Sequence, residues 1–206
     1  LKAYDIEVLV PGTEPILLTQ SVPSPIQVFE LTHNARAFKN EEGVSLPAIE
    51  FSFANDPSTS RYYEIVIHLI RSQDPNDPEA VYSASLAAIT DPILRSEGLP
   101  LALFSNAEIE GEEYRMTINY STGSFGSTNG GPRAANLYPL LVEFRSVSQD
   151  YYQYAKQRYL YEQGRYPEFG GGTAAAFPLY SNVENGFGII AGYSTVKSDT
   201  IFPNQP

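Results

Sequence analysis

The clearest strand signal in the chain is YYEIVIHLI at residues 62–70. Its large aliphatic residues recur at every second position, and Glu64 and His68 fall together on the opposite face. A period of two is typical of a β-strand that buries one face against a core. Residues 48–53 (AIEFSF) and residues 114–120 show the same pattern, so the sequence predicts a mainly β protein.

The connections between these segments indicate an antiparallel arrangement. Residues 4–10 and 16–18 flank the turn-forming PGTEP, which predicts a hairpin. We also predict a hairpin between residues 48–53 and 62–70, and we pair residues 114–120 with 140–144 across a loop rich in Gly, Ser and Asn. Together these elements predict an antiparallel β-sandwich or a partly open barrel. A further strand is predicted over residues 26–31, whereas residues 34–43 lack apolar periodicity, and no strand is predicted there.

One α-helix is predicted in the C-terminal half of the chain, from about residue 149 to about residue 163. Ser148 can cap it, Asp150 favours its positive end, and Gly164 can terminate it. Tyr152 and Tyr159 fall at helical spacing and predict an aromatic stripe that packs on the sheet.

Composition excludes several classes of function. The chain has 206 residues, of which 42% are apolar and 18% charged, so it can fold around a core. A net charge of −11 opposes binding to nucleic acid, and the absence of cysteine excludes disulfides and thiolate metal sites. No stretch approaches the roughly 20 apolar residues of a membrane-spanning helix. The sequence indicates no cofactor and no metal.

The chain shows no recognised catalytic motif. Histidine is the side chain that ordinarily takes up and releases a proton near neutral pH, and the chain has two, His33 and His68. We predict His68 on a sheet surface or interface and His33 exposed at a strand end. The acidic residues 108–113 predict a solvated edge beside a turn, and the oxygen-rich residues 74–79 predict a plain turn because they lack the spacing of an EF-hand loop. We therefore predict that the protein is not an enzyme.

A second group of aromatic residues follows the predicted helix. These residues are Tyr159, Tyr161, Tyr166 and Phe169, and a run of glycines comes after them. Tyrosine offers rigid contact area with a polar tip, which suits recognition surfaces. The group therefore predicts either a patch that contacts a protein partner or glycan, or packing against the core.

The segment from Tyr180 to Tyr193 (YSNVENGFGIIAGY) is the most distinctive in the chain. Its glycines can adopt backbone angles denied to other residues, and its asparagines can bond to nearby backbone. We predict a structural motif, a bulged terminal strand, rather than a ligand contact. The residues that carry this prediction are Asn182, Asn185, Gly186, Gly188 and Gly192.

This segment, with DYYQY at residues 150–154, resembles the end of the Bacteroidota surface lipoprotein family catalogued as domain of unknown function 4249. YDIEV at residues 4–8 is similar to the strand before that family's Pro-rich junction. EFSFANDP at residues 50–57 resembles the start of its second domain. The resemblance covers most of the chain.

The resemblance implies a domain organisation. Residues 1–22 are then the end of a truncated N-terminal immunoglobulin-like β domain, and residues 23–206 are the β-rich C-terminal domain. It also implies a surface location at the outer membrane. A lipid anchor would hold the full-length protein there, and because residues 1–206 contain no cysteine to carry it, we expect the anchor on a segment beyond them.

Two functions follow as expectations. The resemblance implies a non-catalytic accessory or substrate-capture lipoprotein that associates with a TonB-dependent transporter. The alternative is a free-standing β module that binds a carbohydrate or peptide. Asp199-Thr200-Ile201 resembles the short O-glycosylation acceptor pattern of Bacteroidota, which makes Thr200 a predicted modification site.

Overall fold

The computed structural model describes residues 2–12, 14–72, 74, 76–77, 80–126, 133–164, 178–184 and 187–203. Among the described residues, 47% lie in strands and 12% in helices. The sheets pack as a sandwich with a curled, half-open form. The predicted mainly β sandwich or partly open barrel is therefore confirmed.

The described chain forms thirteen strands and two helices. The strands are β1 (Lys2–Val8), β2 (Ile16–Val22), β3 (Val28–Lys39), β4 (Ser45–Ala54), β5 (Tyr62–Ile70), β6 (Val81–Ser83), β7 (Ser85–Ala88), β8 (Leu103–Ser105), β9 (Glu113–Ser121), β10 (Phe125–Gly126), β11 (Ala134–Ala135), β12 (Leu140–Val147) and β13 (Tyr193–Lys197). The helices are α1 (Pro92–Ser96) and α2 (Gln149–Gly164).

The chain divides into two compact units, each built from two segments of sequence. Unit 1 comprises Leu1–Ser24 and Ser146–Ser194, and unit 2 comprises Pro25–Arg145 and Thr195–Pro206. The division after Ser24 falls close to the predicted junction at residue 22. Whether residues 1–22 belong to an immunoglobulin-like domain stays a prediction.

Unit 1 contains a hairpin and the long helix. β1 and β2 pair antiparallel from Lys2 opposite Val22 to Val8 opposite Ile16, which confirms the predicted hairpin. Helix α2 runs where the sequence predicted it, and the Ser148 hydroxyl accepts a hydrogen bond from the Tyr151 amide at 3.4 Å. Among the described side chains of the helix, Tyr152 is the buried one.

Unit 2 contains the two sheets of the sandwich. One has the order β10-β11-β4-β9-β7, and β3 also pairs with β4. The other has the order β13-β12-β5-β6, with β8 also paired to β5. Two predicted pairings are therefore wrong: β4 and β5 lie in different sheets, and so do β9 and β12. The polar loop between β4 and β5 carries the chain from one sheet to the other and does not close a hairpin.

β3 is a long edge strand of which the sequence pattern predicted only the first part, within residues 26–31. It continues through residues 34–39, where apolar periodicity is absent. All of its side chains are exposed or half-buried, so burial imposes no strict alternation on them. Its register with β4 also shifts twice, which disrupts the period of two.

Aromatic rings from both sheets form the centre of the core in unit 2. Phe51 and Phe53 of β4 meet Phe144 of β12 and Tyr63 of β5, with ring centroids 4.9 Å apart for Phe51–Phe144 and 5.5 Å for Phe53–Tyr63. Phe104 of β8 completes the contact with Tyr63 at 5.3 Å. Edge-on and tilted contacts of this kind are the favoured geometries for aromatic pairs.

Helix α1 is short and held by a buried aspartate. Asp91 caps it by accepting the Ile93 amide at 3.0 Å, and Pro92 supplies the first helical residue. Asp91 also accepts the Tyr114 hydroxyl at 3.1 Å and the Thr117 amide at 3.2 Å, which joins the helix to β9. Burial, followed by the Asp91 charge, raises the pKa of Tyr114 to about 12.

Candidate functional site

An open pocket of about 520 Å³ lies in unit 2 at the ends of strands from both sheets. Within the described part of the chain, its lining residues are Arg71, Tyr82, Thr122, Gly123, Ser124 and Tyr138. Arg71 follows β5, and Tyr82 lies in β6. The Thr122–Ser124 turn lies between β9 and β10, and Tyr138 precedes β12. Pockets of this volume are typical of small-molecule sites.

Hydrogen bonds hold the wall of the pocket in place. The Tyr82 hydroxyl donates to the Thr122 carbonyl at 2.8 Å, and the buried Thr122 hydroxyl donates to the Ser124 carbonyl at 3.0 Å. Asn136 then donates its side-chain amide to the Ser124 hydroxyl at 2.7 Å and its backbone amide to the Ser124 carbonyl at 2.9 Å. The pocket wall between β9 and β10 is therefore pre-organised.

The opposite wall is fixed through backbone contacts beside Arg71 and Tyr138. The Ile70 amide donates to the Pro139 carbonyl at 2.8 Å, and the Arg71 amide donates to the Ala80 carbonyl at 2.7 Å. Burial raises the pKa of Tyr82, and the neighbouring Tyr138 adds to the rise. The two phenols and the guanidinium thus share one electrostatic environment.

A second polar cluster lies on the outer face of the five-stranded sheet and centres on Glu143. Its carboxylate accepts the Arg145 guanidinium at 2.8 Å, lies 3.0 Å from His68 Nε2, and accepts the Thr195 hydroxyl at 3.2 Å. Arg145 also pairs with Glu64 at 2.8 Å. The Glu143 side chain is only 7% exposed.

This cluster is arranged for ion pairing. The Arg145 hydrogen bond, aided by His68 and Thr195, lowers the pKa of Glu143 to about 2 despite burial. A carboxyl that stays ionised at neutral pH cannot act as a general acid there. His68 lies on the Glu64 face of β5, as predicted, and its Nε2 atom is engaged by Glu143.

His33 lies within β3, so the predicted exposed position at a strand end is wrong. Its Nε2 atom contacts the Tyr120 hydroxyl at 2.9 Å, and burial lowers its pKa. The pKa of buried Tyr120 is raised, also by burial. The two groups are therefore neutral partners at physiological pH and hold β3 to the core.

The acidic segments do not converge. Glu108, Glu110, Glu112 and Glu113 are all exposed. Asp74 accepts the backbone amide of Asn76 at 2.9 Å, as in a plain turn, while residues 75, 78 and 79 lie outside the described part of the chain. Within the described residues, no group of three His, Cys, Asp or Glu side chains could hold a metal ion.

The predicted aromatic contact residues are only partly described. Tyr159 is half-buried and Tyr161 is exposed on α2, while Tyr166 and Phe169 lie outside the described residues. Unit 1 displays further exposed apolar side chains. These are Tyr4, Leu9, Val10, Leu17, Leu179, Phe187 and Tyr193.

The predicted structural motif is held by its own side chains and backbone. Asn182 donates to the Ile190 carbonyl at 2.8 Å and accepts the Ile190 amide at 3.0 Å. Gly188 has a φ of +127°, and a Cβ on Gly192 would lie 2.5 Å from the Ser21 carbonyl oxygen. Asn185 and Gly186 lie outside the described residues. β13 begins only at Tyr193, so the described motif residues do not form the predicted bulged strand.

Comparison with known proteins decides the family. A family model described as a domain of unknown function (DUF4249) matches residues 2–199. The chain belongs to this family. No curated protein matches it, and no solved structure does.

The DUF4249 match extends across segments of both units and ends one residue before Thr200. Thr200 is exposed, and its neighbours are tied to β12: the Ser198 amide donates to the Val142 carbonyl and the Ile201 amide to the Leu140 carbonyl. Modification at Thr200 stays a prediction. Neither described helix is long and apolar enough to cross a membrane.

Sequence reasoning missed the pocket because its lining comes from four separate segments. Arg71 and Tyr138 are 67 positions apart, as 138 − 71 gives, and no local motif marks either residue. A usable signal was available in Thr122-Gly123-Ser124. This small polar turn lies between β9 and β10, where Gly123 has a φ of +69°.

Proposed function

We propose that this DUF4249 protein is a non-catalytic surface component that associates with a TonB-dependent transporter of the outer membrane. In the full-length protein, a lipid anchor would provide the attachment. Family membership supports the proposal through the resemblance described above. The observation that carries the docking role is the exposure of apolar side chains on unit 1, including Leu17, Tyr161 and Phe187.

Aromatic side chains are among the groups enriched where protein partners make contact. Phe187 is fully exposed, and Leu9 and Leu17 are each more than two-thirds exposed. In unit 2, by contrast, both histidines are engaged by neighbouring side chains, which favours a binding role over proton-transfer chemistry.

Site-specific photocrosslinking in native membranes tests this function. A photoreactive phenylalanine analogue at Tyr161 or Phe187 of unit 1 should capture a TonB-dependent transporter, identified by mass spectrometry. The matched control is Val81, an exposed apolar residue of unit 2. Metabolic labelling of the full-length protein with an alkyne fatty acid should detect the anchor.

Failure to recover a transporter from either unit 1 position, with the protein correctly localised and the analogue incorporated, would contradict the docking role. Capture from Val81 alone would move the partner surface to unit 2. An unlabelled full-length protein would remove the lipid anchor from the proposal.

A second candidate function is favoured by the pocket in unit 2. A pre-organised cavity lined by phenols, hydroxyl groups and a guanidinium suits the capture of a small ligand. Capture and docking use residues of different units, and a substrate-capture accessory would combine them.

A further inference from the structure

The lining of the unit 2 pocket is amphipathic. Tyr82 and Tyr138 supply aromatic faces with polar tips, Thr122 and Ser124 supply hydroxyl or carbonyl groups, and Arg71 supplies a guanidinium. An acyl chain prefers a predominantly apolar lining, and a polyphosphate needs several cations or converging amides. The described lining, with its guanidinium and few hydroxyls, fits neither ligand.

A sugar ring matches this mixture. It presents a face of C–H groups to an aromatic ring and a rim of hydroxyls that both donate and accept hydrogen bonds. The guanidinium carries five N–H donors, so Arg71 can serve a ligand hydroxyl while keeping its other contacts. Among the described lining residues there is no acidic side chain, so they offer no carboxylate to which a cationic ligand could pair.

The pocket is also built to receive a ligand without rearrangement. The hydrogen bonds of Tyr82, Thr122 and Asn136 described above fix the wall that Gly123 opens to solvent. Pre-organisation reduces the ordering cost of binding, which matters for a polar ligand that must give up hydration.

We propose that the pocket bounded by Arg71, Tyr82, Tyr138 and the Thr122–Ser124 turn binds a short oligosaccharide. A sugar ring lies against the Tyr138 ring, and its hydroxyls bond to Arg71 and to the Thr122–Ser124 turn. This inference rests on the capture function proposed for unit 2 and adds its ligand class and its residues. It does not depend on docking to a transporter.

The test uses the purified chain and saturation-transfer difference NMR. The sugar probes are maltohexaose, cellohexaose, mannohexaose, xylohexaose and hexagalacturonate, and the peptide probe is a tryptic digest of casein. Tyr138→Ala and Arg71→Gln are the pocket variants. Phe29→Ala is the matched control, since it removes an exposed aromatic side chain of β3 that lines neither the pocket nor the docking surface.

At least one sugar probe should bind the wild type. Its affinity should fall at least about tenfold in Tyr138→Ala and in Arg71→Gln, and it should stay unchanged in Phe29→Ala. Amide shifts on titration should centre on Thr122–Ser124. Thermal unfolding of each variant distinguishes loss of a contact from loss of the fold, and the milder Tyr138→Leu replaces Tyr138→Ala where the latter is unfolded.

Three outcomes would overturn the inference. Sugar binding that survives both pocket variants places the site elsewhere. Casein peptides bound at the pocket, with no sugar bound, leave the capture function standing and exclude the saccharide class. Absence of binding by every probe, with a folded protein, removes the capture function as well.

Discussion

The two units of this chain differ in how many large apolar side chains they bury. Unit 2 packs aromatic and aliphatic side chains from two sheets into one core cluster, with a smaller second cluster around Val44 and Leu46. Unit 1 has a two-stranded sheet and one long helix, and among its described residues only Val147 and Tyr152 are buried large hydrophobic residues. An isolated hairpin is marginally stable in water. Unit 2 therefore holds most of the buried core, and unit 1 depends on few buried contacts.

This contrast implies different responses to substitution. Changes in unit 2 should lower the free energy of global unfolding, because its core forms cooperatively. Changes in unit 1 should mainly raise local opening, which hydrogen exchange detects. Substitution in the aromatic core of unit 2 should therefore cost most, and substitution in a surface loop of unit 1 should cost least.

Phe53→Ala should have the largest effect. Phe53 is fully buried and contacts Phe51, Tyr63, Phe104 and Tyr114. We expect the free energy of unfolding in denaturant to fall by about 3–5 kcal/mol. Leu17→Ala, at an exposed position of β2, is the matched control and should stay within about 0.5 kcal/mol of the wild type. Equal losses in the two variants would contradict the contrast between the units.

Glu143→Gln should be next and should change the pH dependence of stability. The pKa of Glu143 falls from its ordinary 4.5 to about 2 in the folded protein, so its ionised form favours folding. Its contribution is complete above about pH 4.5 and is lost as the pH falls through about 2.

At neutral pH the free energy of unfolding of the variant should be lower by about 1.5–3 kcal/mol. The reason is that the glutamine amide is a weaker hydrogen-bond acceptor for the charged partners than the carboxylate. Its unfolding free energy should also vary less between pH 4.5 and pH 2 than that of the wild type. Glu110→Gln, at an exposed glutamate of the same unit, serves as the control. An acid dependence identical in wild type and Glu143→Gln would show that the cluster does not hold this charge.

Gly192→Ala tests close packing in unit 1. The added Cβ would meet the Ser21 carbonyl oxygen at 2.5 Å, and relieving that overlap should cost about 1–3 kcal/mol. The cost should appear as faster exchange of the Ser148 amide, which donates to the Gly192 carbonyl at 2.9 Å. Gly188→Val adds a strained φ without an overlap and should lower thermal stability less.

Unchanged exchange at Ser148 in Gly192→Ala would show that the two backbones separate freely. Unchanged melting of Gly188→Val together with lost partner binding would instead give the motif a contact role.

Asn182→Ala should have the smallest effect. It removes two hydrogen bonds to Ile190 from a half-buried, surface-accessible loop, and we expect a local cost of about 0.5–1.5 kcal/mol. Exchange of the Ile190 amide should accelerate while the global midpoint stays in place. Ser181→Ala is a neighbouring control. A shift of the global unfolding midpoint in Asn182→Ala would show that this loop unfolds together with the core.

The sequence predicted the elements that carry strong local signals. The alternation in β5 and the cap at Ser148 each follow from the chemistry of neighbouring residues, and both are present in the structure. The placement of His68 on the Glu64 face follows from the same period of two. The family was also identified from local motifs, because the spacing of glycine and asparagine residues can be read from the sequence without knowledge of the fold.

Features that depend on distant residues were not predictable in this way. The partner of His68 is Glu143, 75 positions away, and β4 pairs with β9 although strands of the other sheet lie between them in the sequence. Helix α1 has only five residues, too few for a helical period to appear, and its cap Asp91 is identified by tertiary contacts with Tyr114 and Thr117. The pocket depends on the same long-range juxtapositions.

The discontinuous composition of each unit has a consequence during synthesis. The chain is made in sequence order, so the β1–β2 hairpin leaves the ribosome well before residues 146–194, which complete its unit. The Ser21 and Val22 end of the hairpin must therefore wait for its contact with Gly192 while residues 25–145 are translated. The hairpin is therefore the part of its unit that spends the longest time on the nascent chain before its remaining residues are made.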